Sequence, residues 1–71
     1  MELSEALKMI RSELGITQEE LAKEVHVSFS TVNRWENNKS IPNPIGRVVL
    51  LDFFQKRKAS SYLIEELKKC K

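Results

Sequence analysis

Only His26 and Val27 stand between Val25, the last apolar residue of one helical pattern, and Ser28, a residue suited to cap the start of the next. Two short helices joined by so short a turn must stay neighbours in space. The helix before the turn opens on Thr17-Gln18-Glu19-Glu20, a spacing that lets the Thr17 hydroxyl and the Glu20 carboxylate satisfy amides at its start. Leu21, Ala22 and Val25 mark its inner face. The helix after the turn runs to about Asn37 or Asn38, where Asn37-Asn38-Lys39-Ser40 is turn-like.

The flanking segments are helical too. Leu3, Leu7, Ile10 and Leu14 recur at three- and four-residue steps, which predicts a first helix over about residues 2–14 stopped by Gly15. Ile41-Pro42-Asn43-Pro44 reads as an extended connector, with Asn43 capping and Pro44 at the first position of a fourth helix. That helix carries Val48, Leu51 and further apolar side chains as far as about Gln55. Lys56-Arg57-Lys58 breaks the pattern, and Ser60 or Ser61 can cap a last helix in which Leu63, Ile64 and Leu67 share a face. Tyr62, Leu63, Ile64 and Leu67 are expected to pack on the first and fourth helices or on a second subunit. The expectation is an all-α fold of five helices, one domain over 1–71 with a core at about 2–55 and an added helix at about 60–70.

Composition narrows the function. With 41% apolar and 31% charged residues the chain should fold. A core this small supplies only about 3–5 kcal/mol, so dimerisation is expected to help. The lone Cys70 allows no intrachain disulfide and no thiolate cluster, and no metal or other cofactor is expected. The acidic start and the lack of a long apolar run argue against export and membrane insertion, which leaves the cytoplasm. With no Gly-rich phosphate loop, no histidine besides His26 and no nucleophile-base pair, the chain does not read as an enzyme.

The net charge of +2 conceals an asymmetry: residues 1–45 hold five bases against seven acids, whereas residues 46–71 hold seven bases against three acids. Charge alone does not point to a nucleic acid, because the half with the short turn is net acidic. Local geometry does. A helical projection puts Ser28, Thr31, Val32 and Trp35 on one side of the helix after the turn, and Ser30, Asn33, Arg34 and Asn37 on the other. In a major groove Arg34 can bond guanine through O6 and N7, Asn33 can bond adenine through N6 and N7, and Phe29 can touch a thymine methyl. Phe29 can equally fold back on the preceding helix, and Trp35 is placed in the core.

The run Leu14-Gly15-Ile16-Thr17-Gln18-Glu19-Glu20-Leu21-Ala22, continued by Val27-Ser28, Thr31-Val32 and Arg34-Trp35-Glu36, resembles the lambda-repressor and Cro-like (XRE-type) helix-turn-helix family over roughly residues 5–54. Pro42-Asn43-Pro44 followed by Leu50-Leu51 is similar to the DNA-binding half of MqsA-type antitoxins. The family resemblance implies a double-stranded DNA partner, a homodimer on DNA, and base contacts from Phe29, Ser30, Asn33 and Arg34. It implies that Gln18 meets a phosphate, with Thr17, Ser28 and Asn37 also on the backbone side. Asn38, Lys39 and Ser40 lie where the following loop approaches the DNA backbone. It further implies a structural ion pair between Arg11 and Glu36, phosphate contact by Arg11 being the alternative. The family commonly has glycine where this chain has His26 and Asn38, so both are expected in left-handed backbone. The function expected is a sequence-specific transcriptional regulator, a repressor. The competing class is an antitoxin or adaptor that keeps this fold to bind a toxin or other protein.

Overall fold

The computed structural model describes residues 1–70, which form five helices and no strand. They are α1 (Leu3–Leu14), α2 (Gln18–Glu24), α3 (Phe29–Glu36), α4 (Pro44–Lys56) and α5 (Ser61–Lys69). No helix among the described residues is long and apolar enough to cross a membrane.

Each boundary has a local cause. Gly15 ends α1 at φ 69°, and its amide and that of Ile16 turn back to the carbonyls of Ser12 and Arg11 at 3.1 and 3.2 Å. At the start of α2 the Thr17 hydroxyl accepts from the Glu20 amide at 3.1 Å, and the Glu20 carboxylate accepts from the Thr17 amide at 2.9 Å. The expected reciprocal cap is therefore present. His26 takes φ 61°, which reverses the chain at once and lets the Val27 amide reach the Ala22 carbonyl at 3.0 Å. Ser28 then accepts from the Thr31 amide at 3.1 Å and opens α3, while Asn38 at φ 59° closes it. Both positions expected to be left-handed are so. Asn43 caps α4 through the Gly46 amide at 2.7 Å, with Pro44 first in the helix.

The core gathers around α1. Leu3, Ala6, Leu7 and Ile10 are buried against Leu21, Ala22 and Val25 of the α2 segment, Val32 and Trp35 of α3, Leu50 and Phe54 of α4, and Leu63, Ile64 and Leu67 of α5. Helix α5 packs on α1 and α4, as expected for Leu63, Ile64 and Leu67.

Three positions depart from what the sequence pattern suggests. Val48 is 66% exposed, and α4 instead buries Leu50 and Phe54 with Leu51 half-buried. The α4 sequence is apolar on several sides, so its pattern alone does not pick the inner one. Tyr62 is likewise 62% exposed and takes no part in the core. Ser60 occupies the position before α5, but its hydroxyl makes no cap bond; its amide donates to Glu13 Oε1 at 2.7 Å, so α1 holds the start of α5.

Candidate nucleic-acid interface

The α2–turn–α3 unit holds one face of α3 against the core and leaves the other open. Val32 and Trp35 anchor it inward, and α3 packs on both α1 and α2. Phe29 at 48% exposure, together with exposed Ser30, Arg34 and Asn37, forms the open side. The projection thus placed Ser30, Arg34 and Asn37 correctly, and Phe29 does not fold away into the core. Ser28 is exposed and Thr31 half-buried, contrary to their inward placement, because the two hydroxyls bond each other at 2.9 Å at the helix rim. Among the described residues, the Arg34 guanidinium enters no ion pair.

Behind that face lies a continuous polar chain. Arg11 Nε and Nη2 donate to Glu36 Oε2 and Oε1 at 2.8 and 2.9 Å, a two-point pair of the kind a planar guanidinium makes best. Arg11 Nη1 adds a bond to the Ile16 carbonyl at 3.1 Å, tying the α1–α2 loop to the same centre. Glu36 is only 2% exposed. The hydrogen bond that Arg11 donates to Glu36, ahead of the opposing cost of burial, raises the Arg11 pKa above its ordinary value, so the guanidinium stays charged. Gln18 Nε2 donates to Glu36 Oε1 at 2.9 Å, and Gln18 Oε1 accepts from Asn33 Nδ2 at 3.1 Å. Asn37 Nδ2 donates to Asn33 Oδ1 at 3.1 Å and to the Asn33 carbonyl at 2.8 Å.

The structure therefore joins the Arg11–Glu36 pair to Gln18 and Asn37, expected at the DNA backbone, and to Asn33, expected at the bases, in one hydrogen-bonded chain. Asn33 is half-buried between α2 and α3. No sequence signal announces the Gln18–Asn33 bond; it depends on how α2 and α3 cross. Around this centre, Thr17 and Ser28 use their hydroxyls as caps while remaining exposed, and Asn38 and Lys39 are exposed beyond the end of α3. Ser40 differs: its Oγ is buried and makes no hydrogen bond among the described residues, and the residue lines a cleft with Thr31, Arg34 and Trp35.

Two short helices joined through a left-handed turn, the second wedged by Trp35 and Val32 and polar on its free side, define a helix-turn-helix domain. Comparison agrees: the helix-turn-helix family pattern matches residues 7–45, more than half of the chain, and the chain belongs to that family. The HTH-type transcriptional activator BcrR of Enterococcus faecalis is 35% identical over 54 residues, which cover 76% of this chain and 26% of that protein. The matched part is thus about a quarter of the length of that relative. No solved structure matches.

Proposed function

We propose that this chain is a sequence-specific regulator of transcription that binds double-stranded DNA by inserting α3 into the major groove. The observation that carries the reading is the open face of α3, where Arg34, Ser30 and Phe29 stand exposed on a helix pinned from behind by the Arg11–Glu36 pair. Arg34 addresses guanine and Asn33 adenine, Ser30 and Phe29 complete the base contacts, and Gln18, Lys39, Asn37 and Asn38 meet the sugar-phosphate backbone. The Thr17 and Ser28 amides and hydroxyls lie at the rim where backbone contact is made. Two copies on a two-fold operator place their α3 helices about 34 Å apart.

The Enterococcus relative carries the name of an activator, and family membership supports regulation of transcription without its sign. Our reading of the sign is repression, because a domain seated in the groove of a promoter blocks access with no further contact required.

Selection from a random DNA pool, followed by gel-shift titration of the selected site, tests this. The wild-type protein should select a two-fold site, and Arg34→Ala should lose about 1–3 kcal/mol of discrimination at one base position. Unchanged affinity and base preference in Arg34→Ala would reject the assignment of α3 as the reading helix.

A further inference from the structure

We propose that Gln18 is a positioning residue for base recognition: anchored on the buried Glu36 carboxylate, it holds the Asn33 amide from the α2 side, completing with Asn37 on the other side a two-point grip that keeps the amide one way round and so sets the preference for adenine. The inference rests on the DNA-reading function proposed above, and it assigns Gln18 a role beyond phosphate contact.

Hydrogen-bond polarity fixes each amide in turn. A carboxylate only accepts, so the Gln18 atom 2.9 Å from Glu36 Oε1 must be the amide nitrogen. This leaves Gln18 Oε1, an acceptor, to face Asn33 at 3.1 Å, and the Asn33 atom there must be Nδ2. The far end of the chain gives the same answer independently. Asn37 Nδ2 lies 2.8 Å from the Asn33 backbone carbonyl, another pure acceptor, so it is a donor, and the Asn33 atom 3.1 Å from it must be Oδ1. Two fixed acceptors therefore dictate the orientation of three amides with no conflict between them. The ordinary ambiguity of an amide flip is removed by chemistry.

Each Asn33 polar atom spends one of its two hydrogen-bonding positions inside the protein. One Nδ2 hydrogen and one Oδ1 lone pair remain, the donor and acceptor that adenine N7 and N6 require. Their order along α3 is fixed: the donor lies toward α2 and the acceptor toward Asn37. An Asn33 free to flip would present both orders and lose ordering entropy on binding. Because Glu36 is held by Arg11, the orientation traces back to an ion pair that touches no base.

Gln18→Met keeps the length of the side chain and removes both polar atoms; a thermal melt checks that it folds. Base preference is then measured by competition titration at every operator position for wild type, Asn33→Ala and Gln18→Met. We expect Gln18→Met to relax preference about fivefold or more at the one position that Asn33→Ala relaxes, with the Arg34-dependent position unchanged. A uniform loss of affinity with all preferences intact would show phosphate contact alone and overturn the inference, as would an Asn33→Ala variant that relaxes no position.

A second readout needs no DNA. The two Asn33 side-chain amide protons should be resolved from those of solvent-exposed asparagines by NMR in the wild-type protein, and should move toward them in Gln18→Met. Signals that do not move would overturn the inference as well. A wild-type protein that shows no base preference on any DNA would instead refute the proposed function, while the NMR result still decides how Asn33 is held.

Discussion

Among the described residues, three other than glycine hold left-handed backbone: His26 at φ 61°, Asn38 at 59° and Lys58 at 59°. Each sits where a helix must stop abruptly, and for an L-residue this conformation costs about 1–2 kcal/mol, least for asparagine. Lys58 is exposed and joins α4 to α5, so its replacement disturbs no packing. Lys58→Gly should therefore stabilise the fold by about 0.5–1 kcal/mol, allowing for the extra freedom glycine gives the unfolded chain. A rise of about 2–8 °C in Tm, read by circular dichroism, would follow for a domain of this size. Asn38→Gly should yield less. His26 and Asn38 were legible as left-handed because the family resemblance marks glycine there. Lys58 was not, since a run of basic residues carries no signal of backbone hand.

At the scale of elements, the start of α2 and the α1–α3 junction depend on charge in different ways. The backbone amide of Thr17 first, and its hydroxyl second, hold the Glu20 carboxyl below its ordinary value of 4.5. A carboxyl depressed in the folded state contributes stability that is full above its unfolded value and is lost as pH falls through its folded one. Thermal melts of wild type and Glu20→Gln should accordingly differ at neutral pH and converge as pH drops below 4.5. The α1–α3 junction is buried and costs more to break. Arg11→Ala would leave the Glu36 carboxylate without its cation, a loss of about 3–5 kcal/mol. That equals the whole stability expected of a core this small. Arg11→Ala should be largely unfolded at 25 °C by circular dichroism, and Arg11→Met combined with Glu36→Leu should recover a cooperative melt. The order and caps of the helices were readable because Thr17, Ser28, Asn43 and Gly15 act on their own neighbours. The inward face of α4 was not, because Leu50 and Phe54 are chosen over Val48 by what α5 and α1 present to them.

For the molecule as a whole, the acidic balance of residues 1–45 limits how much of its affinity for DNA can come from bulk charge. Individual cations should then be visible. Lys39→Ala is expected to weaken binding about equally for all sequences and to reduce the slope of log affinity against log salt by about 1, measured by titration across salt concentrations. An unchanged slope would remove Lys39 from the phosphate contacts. The helix-turn-helix was legible at this scale, and so was the Arg11–Glu36 pair behind it; the continuation of that pair through Gln18 to Asn33 was not, because it depends on how α2 and α3 cross.

The path of the chain nearly closes on itself. The Cys70 thiol lies 3.4 Å from the Met1 carbonyl, and the Met1 ammonium lies 3.5 Å from Glu66. The first turn of α1 and the last turn of α5 are therefore held side by side. A short linker from residue 70 to residue 1, with the chain opened instead at the exposed Lys56–Lys58 bend, would leave α2, the turn and α3 uninterrupted, so the helices should still pack when they follow one another in that other order.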